Sequence, residues 1–134
     1  MKLTYGLVFY TGTTGEPCPV VKGWLRLSLR KTDPSNPAHR DYLPYRNYFS
    51  TDVQPPKPGE KYPVDVEIWP TNVVVSKGHR LGLQIASHDT QGSGLFEHKH
   101  PQDRSPDVLT GLNCVHVGAN DQSFLCLPII PPKP

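Results

Sequence analysis

The chain has 134 residues, a formal net charge of +2, 36% hydrophobic residues and 16 prolines. That length is enough for one domain with its own core, and so many prolines argue against helices, because proline removes a helix hydrogen bond and clashes with the preceding turn. Lys and Arg are scattered, and no apolar run approaches the roughly 20 residues of a membrane-spanning helix, so neither nucleic acid nor membrane is an expected partner.

Residues 2–10 read as a first strand, with Leu3, Tyr5, Leu7 and Phe9 on one face. This opening has neither the apolar length nor the small-residue cleavage site of a secretory signal, so a cytoplasmic location is expected. Residues 11–19 form a loop. A second strand is expected over 20–30, where Leu25, Leu27 and Leu29 alternate with Trp24, Arg26, Ser28 and Arg30, giving one oily face and one guanidinium-rich face. Residues 31–58 are a long, proline-punctuated connection. Its aromatics, Tyr42, Tyr45, Tyr48 and Phe49, favour packing over disorder.

The most regular stretch follows, from Pro58 to Ile85. Tyr62, Val64, Val66 and Ile68 alternate with Pro63, Asp65, Glu67 and Trp69, the period of a half-buried strand. Pro70-Thr71-Asn72 breaks it, Val73-Val74-Val75 crosses over, and Lys77-Gly78 turns the chain into a strand with Leu81, Leu83 and Ile85 on one face. These two strands are expected to form the middle of the fold. Residues 87–111 are a second long loop. Strands at 112–117 and 123–128 flank a turn at Gly118-Ala119-Asn120-Asp121 and read as a closing hairpin. The sum is six strands, no helix, and one all-β domain over residues 1–134. Cys18, Cys114 and Cys126 have no metal-binding spacing. Cys114 and Cys126 sit among apolar residues and are expected as buried thiols, with a disulfide between them the lesser alternative.

Two groups of residues are candidates for chemistry. His98, His100, Asp103 and Arg104 gather imidazoles, a carboxylate and a guanidinium on the second long loop, the ingredients of acid–base catalysis. A solvated loop with internal Asp–Arg pairing explains them as well. His98 and His100 lack a fixed third ligand, so no metal is expected, and no cofactor either. Trp24, Arg26 and Arg30, with Tyr45, Tyr48 and His88 from the long loops, are the candidate ligand-binding set, since arginine presents a planar donor fork to a carboxylate or phenolate. The plainer account is an outer face whose guanidinium groups stack on the loop tyrosines. Ser87, His88 and Asp89 have the residue types of a hydrolytic triad, but as chain neighbours they cannot converge as one. There is no Gly-x-Ser-x-Gly elbow.

The blocks Lys22-Gly23-Trp24-Leu25-Arg26-Leu27-Ser28-Leu29-Arg30, then Asp33-Pro34, then PGEKYPVDVEIWPTNVVVSKGHRLGLQIAS, and finally NCVHVG with Ser123-Phe124-Leu125 and Leu127-Pro128-Ile129-Ile130-Pro131, occur in that order. In this order and spacing the chain resembles the C-terminal domain of cocaine esterase-like and Xaa-Pro dipeptidyl-peptidase hydrolases, from about Tyr5 to Pro131. The resemblance implies a jelly-roll-like, galactose-binding-like β-sandwich, here truncated at its N-terminal side. It also implies a non-catalytic domain, the triad belonging to a separate α/β-hydrolase domain.

A shortened sandwich exposes an edge or an apolar face, which a homodimer would cover. The expected function is therefore a stand-alone module that binds a small apolar or aromatic ligand, with a separate α/β-hydrolase chain as a further expected partner. The alternative is a cofactor-independent cyclase or isomerase of specialised metabolism, using the Arg, His and Asp groups for acid–base or electrostatic help.

Overall fold

The computed structural model describes residues 2–10, 17–87 and 111–131, with side chains from residue 18 onward within those ranges. The candidates His88, His98, His100, Asp103 and Arg104 lie outside the described residues. Three strands form one antiparallel sheet: β1 (Lys2–Tyr10), β2 (Pro17–Arg26) and β3 (Arg80–Ala86), in the order β2-β1-β3. The described structure is thus all-β apart from two short 3-10 turns, Leu27–Leu29 and Ser50–Asp52.

β1, not the pair of strands expected between Pro58 and Ile85, is the centre of this sheet. It pairs with β2 from Lys2↔Arg26 to Tyr10↔Pro17 and with β3 from Thr4↔Ala86 to Tyr10↔Arg80. The β1–β2 register shifts between Leu7 and Val8, whose partners are Val21 and Pro19. Pro19 has no N–H to give a ladder, and prolines within sheets are confined to such irregular or edge positions.

β2 begins earlier than the sequence suggests and ends at Arg26 rather than Arg30. Its inward face is nonetheless the expected leucine side: Leu25, Leu27 and Val21 are buried. At Leu27 the chain tightens into a 3-10 turn, closed by the Arg30 N–H on the Leu27 carbonyl at 3.3 Å. Three residues per turn destroy a period of two, so Ser28 and Arg30 do not extend the face carrying Trp24 and Arg26.

Residues 61–76 form no strand. Their alternation is still real: Tyr62, Val64, Val66 and Ile68 are half-buried, while Lys61, Pro63, Asp65, Glu67 and Trp69 are exposed. The backbone crosses β2 at Gly23, where an added Cβ would stand 2.0 Å from the Glu67 carbonyl oxygen. The Trp69 N–H bonds the Lys22 carbonyl at 3.2 Å, and the Arg46 guanidinium donates to the Asp65 carbonyl. The stretch is therefore tied to its neighbours at separate points rather than by a continuous ladder. It is entered through a turn with Pro58 and Gly59 at the centre, closed by the Glu60 N–H on the Lys57 carbonyl at 3.3 Å. Gly59 has φ 79°, a conformation that favours glycine.

The turn expected at Lys77-Gly78 is present, closed by the His79 N–H on the Ser76 carbonyl at 3.0 Å, and leads directly into β3. The turn at 118–121 is also present, with a bridge between Gly118 and Asp121. The flanking strands expected at 112–117 and 123–128 are not formed. A hairpin gains little until its apolar face packs on something, and Leu112 and Phe124 on these arms are almost fully exposed. Cys18, Cys114 and Cys126 are free and exposed, which corrects the expectation of buried thiols at 114 and 126. Among the described residues, no helix is long and apolar enough to cross a membrane.

Candidate functional site

The structure brings only part of the candidate ligand-binding set together. Trp24 and Arg26 are half-buried on β2, and the Trp24 ring meets Trp69 edge-on, with centroids 5.5 Å apart and planes at 79°. Such edge-to-face pairs hold elements together beyond their area burial, here joining β2 to the segment that crosses it. Arg30 lies past the 3-10 turn. Its guanidinium donates to the Leu27 carbonyl at 3.1 Å and to the Gln54 carbonyl, and stacks on the Tyr62 ring with 4.1 Å to the centroid. The guanidinium fork expected to receive a ligand carboxylate is thus engaged with backbone and with a tyrosine. The Gln54 N–H in turn bonds the Ser28 carbonyl at 2.7 Å, fastening the far end of the long connection to the 3-10 turn.

Tyr45 and Tyr48 belong to that connection, which is ordered from within. Asp33 starts it: its Oδ1 accepts the Ser35 N–H at 3.1 Å and the Ser35 hydroxyl at 2.6 Å, and its Oδ2 accepts the Asn47 amide at 3.0 Å. These bonds, the Ser35 hydroxyl first and Asn47 next, hold the Asp33 carboxyl below its ordinary range, against a smaller opposing effect of burial. Asn36 repeats the device one turn later, accepting the Ala38 N–H at 2.9 Å. Short polar side chains that bond the backbone two residues on are standard turn formers. The half-buried Tyr45 is held by its backbone, its carbonyl accepting the Asp33 N–H at 2.9 Å and its N–H donating to His39 Nδ1 at 3.2 Å. Tyr48 is exposed and has φ 56°.

A polar cleft of about 230 Å³ opens in this connection, lined by Lys31, Thr32, Asp33, Asn47 and Asp52. Asp52 is buried. Its carboxylate pairs with the Lys31 ammonium and accepts the Phe49 N–H at 3.3 Å, while the Asp52 N–H returns to the Phe49 carbonyl at 2.9 Å. Sequence reading passed over this cleft. Nothing in the chain order shows that Lys31 and Asp52 meet. Among the described residues, no three His, Cys, Asp or Glu side chains stand together as a metal site. Asp65 and Glu67 are exposed, as outer-face residues should be.

The family of the X-Pro dipeptidyl-peptidase C-terminal non-catalytic domain matches residues 7–126. The chain belongs to this family. The match takes in the whole of β2, the crossing segment, β3 and the turn at 118–121. Two mycobacterial proteins that carry the name serine esterase, one from Mycobacterium bovis and one from Mycobacterium tuberculosis, are each 32% identical over 75 residues. That overlap covers 56% of this chain and only 12% of either relative. No solved structure gives a significant match.

Proposed function

We propose that this C-terminal-type domain is an accessory module that docks on an α/β-hydrolase catalytic domain and contributes no hydrolytic group of its own. The family match over residues 7–126 carries this reading. The small share of the serine esterase-named relatives that the chain covers fits a module belonging to a much larger enzyme. In this reading the module is a jelly-roll-like sandwich, with the one sheet described above as its first layer. The exposed apolar residues of β3 and of residues 112–130 supply surface for the second layer or for the docked domain.

The test is kinetic. The isolated chain should hydrolyse neither p-nitrophenyl acetate nor an Xaa-Pro anilide above background. Added to an α/β-hydrolase domain encoded with it, it should form a stoichiometric complex and change kcat/KM for the ester or anilide. Turnover by the isolated chain, or absence of any complex, rejects the proposal.

The alternative, a cyclase or isomerase acting in a sandwich or dimer-interface pocket, gains no support from the described residues. Arg30 is committed to two carbonyls and Tyr62, and Trp24 to Trp69.

A further inference from the structure

We propose that His39 is a proton-operated latch on the loop tip formed by residues 39–45: the neutral imidazole holds the tip closed, and protonation releases it. This inference is independent of docking to a hydrolase domain.

The tip is a tight turn on a fixed base. Arg40 and Leu43 exchange backbone bonds, the Arg40 N–H to the Leu43 carbonyl at 3.1 Å and the Leu43 N–H to the Arg40 carbonyl at 2.9 Å. The turn displays Tyr42, 69% exposed, and Leu43, 41% exposed. On the entering arm, Asn36 holds the chain. Its carbonyl accepts the His39 N–H at 2.9 Å and its side-chain oxygen accepts the Ala38 N–H at 2.9 Å. On the leaving arm, Pro44 and Arg46 are buried, and the Tyr45 carbonyl accepts the Asp33 N–H at 2.9 Å. Below the turn, the two arms are joined through the half-buried Tyr45, whose N–H donates to His39 Nδ1 at 3.2 Å.

That bond needs a bare Nδ1, with the ring proton on Nε2. Protonation makes both ring nitrogens donors. The Nδ1–H then faces the Tyr45 N–H, and an attraction becomes a clash of two donors. A half-buried amide left without a partner is unfavourable, and opening the tip relieves it. The charged groups around the tip give the protonated ring no compensation. Among the described residues, no carboxylate is ion-paired with His39. Asp33 is committed to Ser35 and Asn47. Asp41 is exposed in the turn, and Asp65, exposed on the crossing segment, meets this base through its carbonyl, bonded by Arg46. Arg40, next in the chain, donates to the Pro37 and His39 carbonyls at 2.7 and 2.6 Å and adds positive charge beside the ring's own residue.

Imidazole is the side chain that ordinarily changes charge between about pH 5 and 8. The closed tip is therefore favoured above that window and lost as pH falls through it. Asp33, held below the ordinary carboxylate range, keeps its charge there, so the base of the connection stays intact.

The experiment is amide hydrogen exchange of the full chain, read by NMR as protection factors at about pH 8 and about pH 5. The Gln54 amide, bonded to the Ser28 carbonyl at 2.7 Å, is the internal reference. Protection of the Tyr45 amide should fall at least about tenfold relative to Gln54 on acidification, the scale of one lost hydrogen bond. Protection of Leu43 should fall with it, because the same tip opens. His39→Asn places an amide oxygen near the position of Nδ1 and has no proton to gain, so its Tyr45 protection should be the same at both pH values, whatever its level. Tyr45 protection that does not change with pH in the parent chain, a loss confined to Tyr45 while Leu43 stays protected, or the same acid-induced loss in His39→Asn would each overturn the proposal.

Discussion

At the scale of single residues, the long connection depends on a few polar side chains. Asp33 is the clearest. Because its carboxyl titrates below the ordinary value of 3.8, chiefly through Ser35 and then Asn47, the charged form is the one that favours the folded loop. Its contribution is complete above the ordinary carboxylate range and is lost as pH falls from about 3.8 through the lower folded value. A carboxyl-detected NMR titration should place the Asp33 midpoint below the ordinary value, and Ser35→Ala should raise it more than Asn47→Ala does. Arg30 makes the complementary case. A ligand-binding arginine is expendable for folding, whereas one bonded to the Leu27 and Gln54 carbonyls and stacked on Tyr62 is not. Arg30→Ala should lower stability by about 1–2 kcal/mol in urea unfolding. Arg30→Lys should recover only part of it, since a lysine cannot reproduce the planar fork.

At the scale of elements, alternation and turn chemistry were legible in the sequence to different degrees. β1 and β3 follow closely from period-two patterning, and the turns at Lys77-Gly78 and 118–121 follow from their residue types. Residues 61–69 show the expected burial alternation without becoming a strand. Alternation reports which side chains face the interior, but a strand also needs a neighbouring backbone in register. Here the neighbour is met at isolated points, by the Trp69 N–H and the Arg46 guanidinium. The end of β2 was missed because leucines at 25, 27 and 29 continue the pattern through a turn whose cause, the closing bonds of Arg30, is not periodic. The cleft was illegible for a similar reason: Lys31 and Asp52 are 21 residues apart, and only the folded loop joins them. Gly23 is the point where two elements touch most closely. With the Glu67 carbonyl oxygen 2.0 Å from where a Cβ would stand, Gly23→Ala must push backbone apart, because no side chain there can move aside. A loss of about 1–3 kcal/mol is expected, with the Trp24–Trp69 contact loosened and tryptophan emission shifted to the red. An unchanged melting temperature would mean that residues 67–69 do not lie over β2.

At the scale of the whole molecule, the balance of buried and exposed apolar residues decides what the domain needs. Among the described side chains the buried hydrophobic residues are Val21, Leu25 and Leu27, all from β2 or its end. Val74, Leu112, Phe124, Ile129 and Ile130 are more than 80% exposed. Apolar surface on this scale is unusual for a chain that works alone and is typical of surface awaiting a partner or a second layer. Three coverings are distinguishable. If residues 112–130 close onto the chain itself, Ile129 and Ile130 are core residues, and replacing both by Ser should cost several kcal/mol, as large-to-polar core substitutions do. If a second copy covers them, the chain should sediment as a dimer and the double variant as a monomer. Docking to an α/β-hydrolase domain leads to a different outcome. The double variant should then stay monomeric and within about 0.5 kcal/mol of the parent in stability, yet bind the hydrolase domain at least about tenfold more weakly. That third pattern is expected, because the chain belongs to a family of non-catalytic domains and its mycobacterial relatives devote only 12% of their length to the matched segment. Equal binding by the double variant and the parent would remove these residues from the interface and leave the face of β3, where Leu83 and Ile85 are exposed, as the next surface to vary.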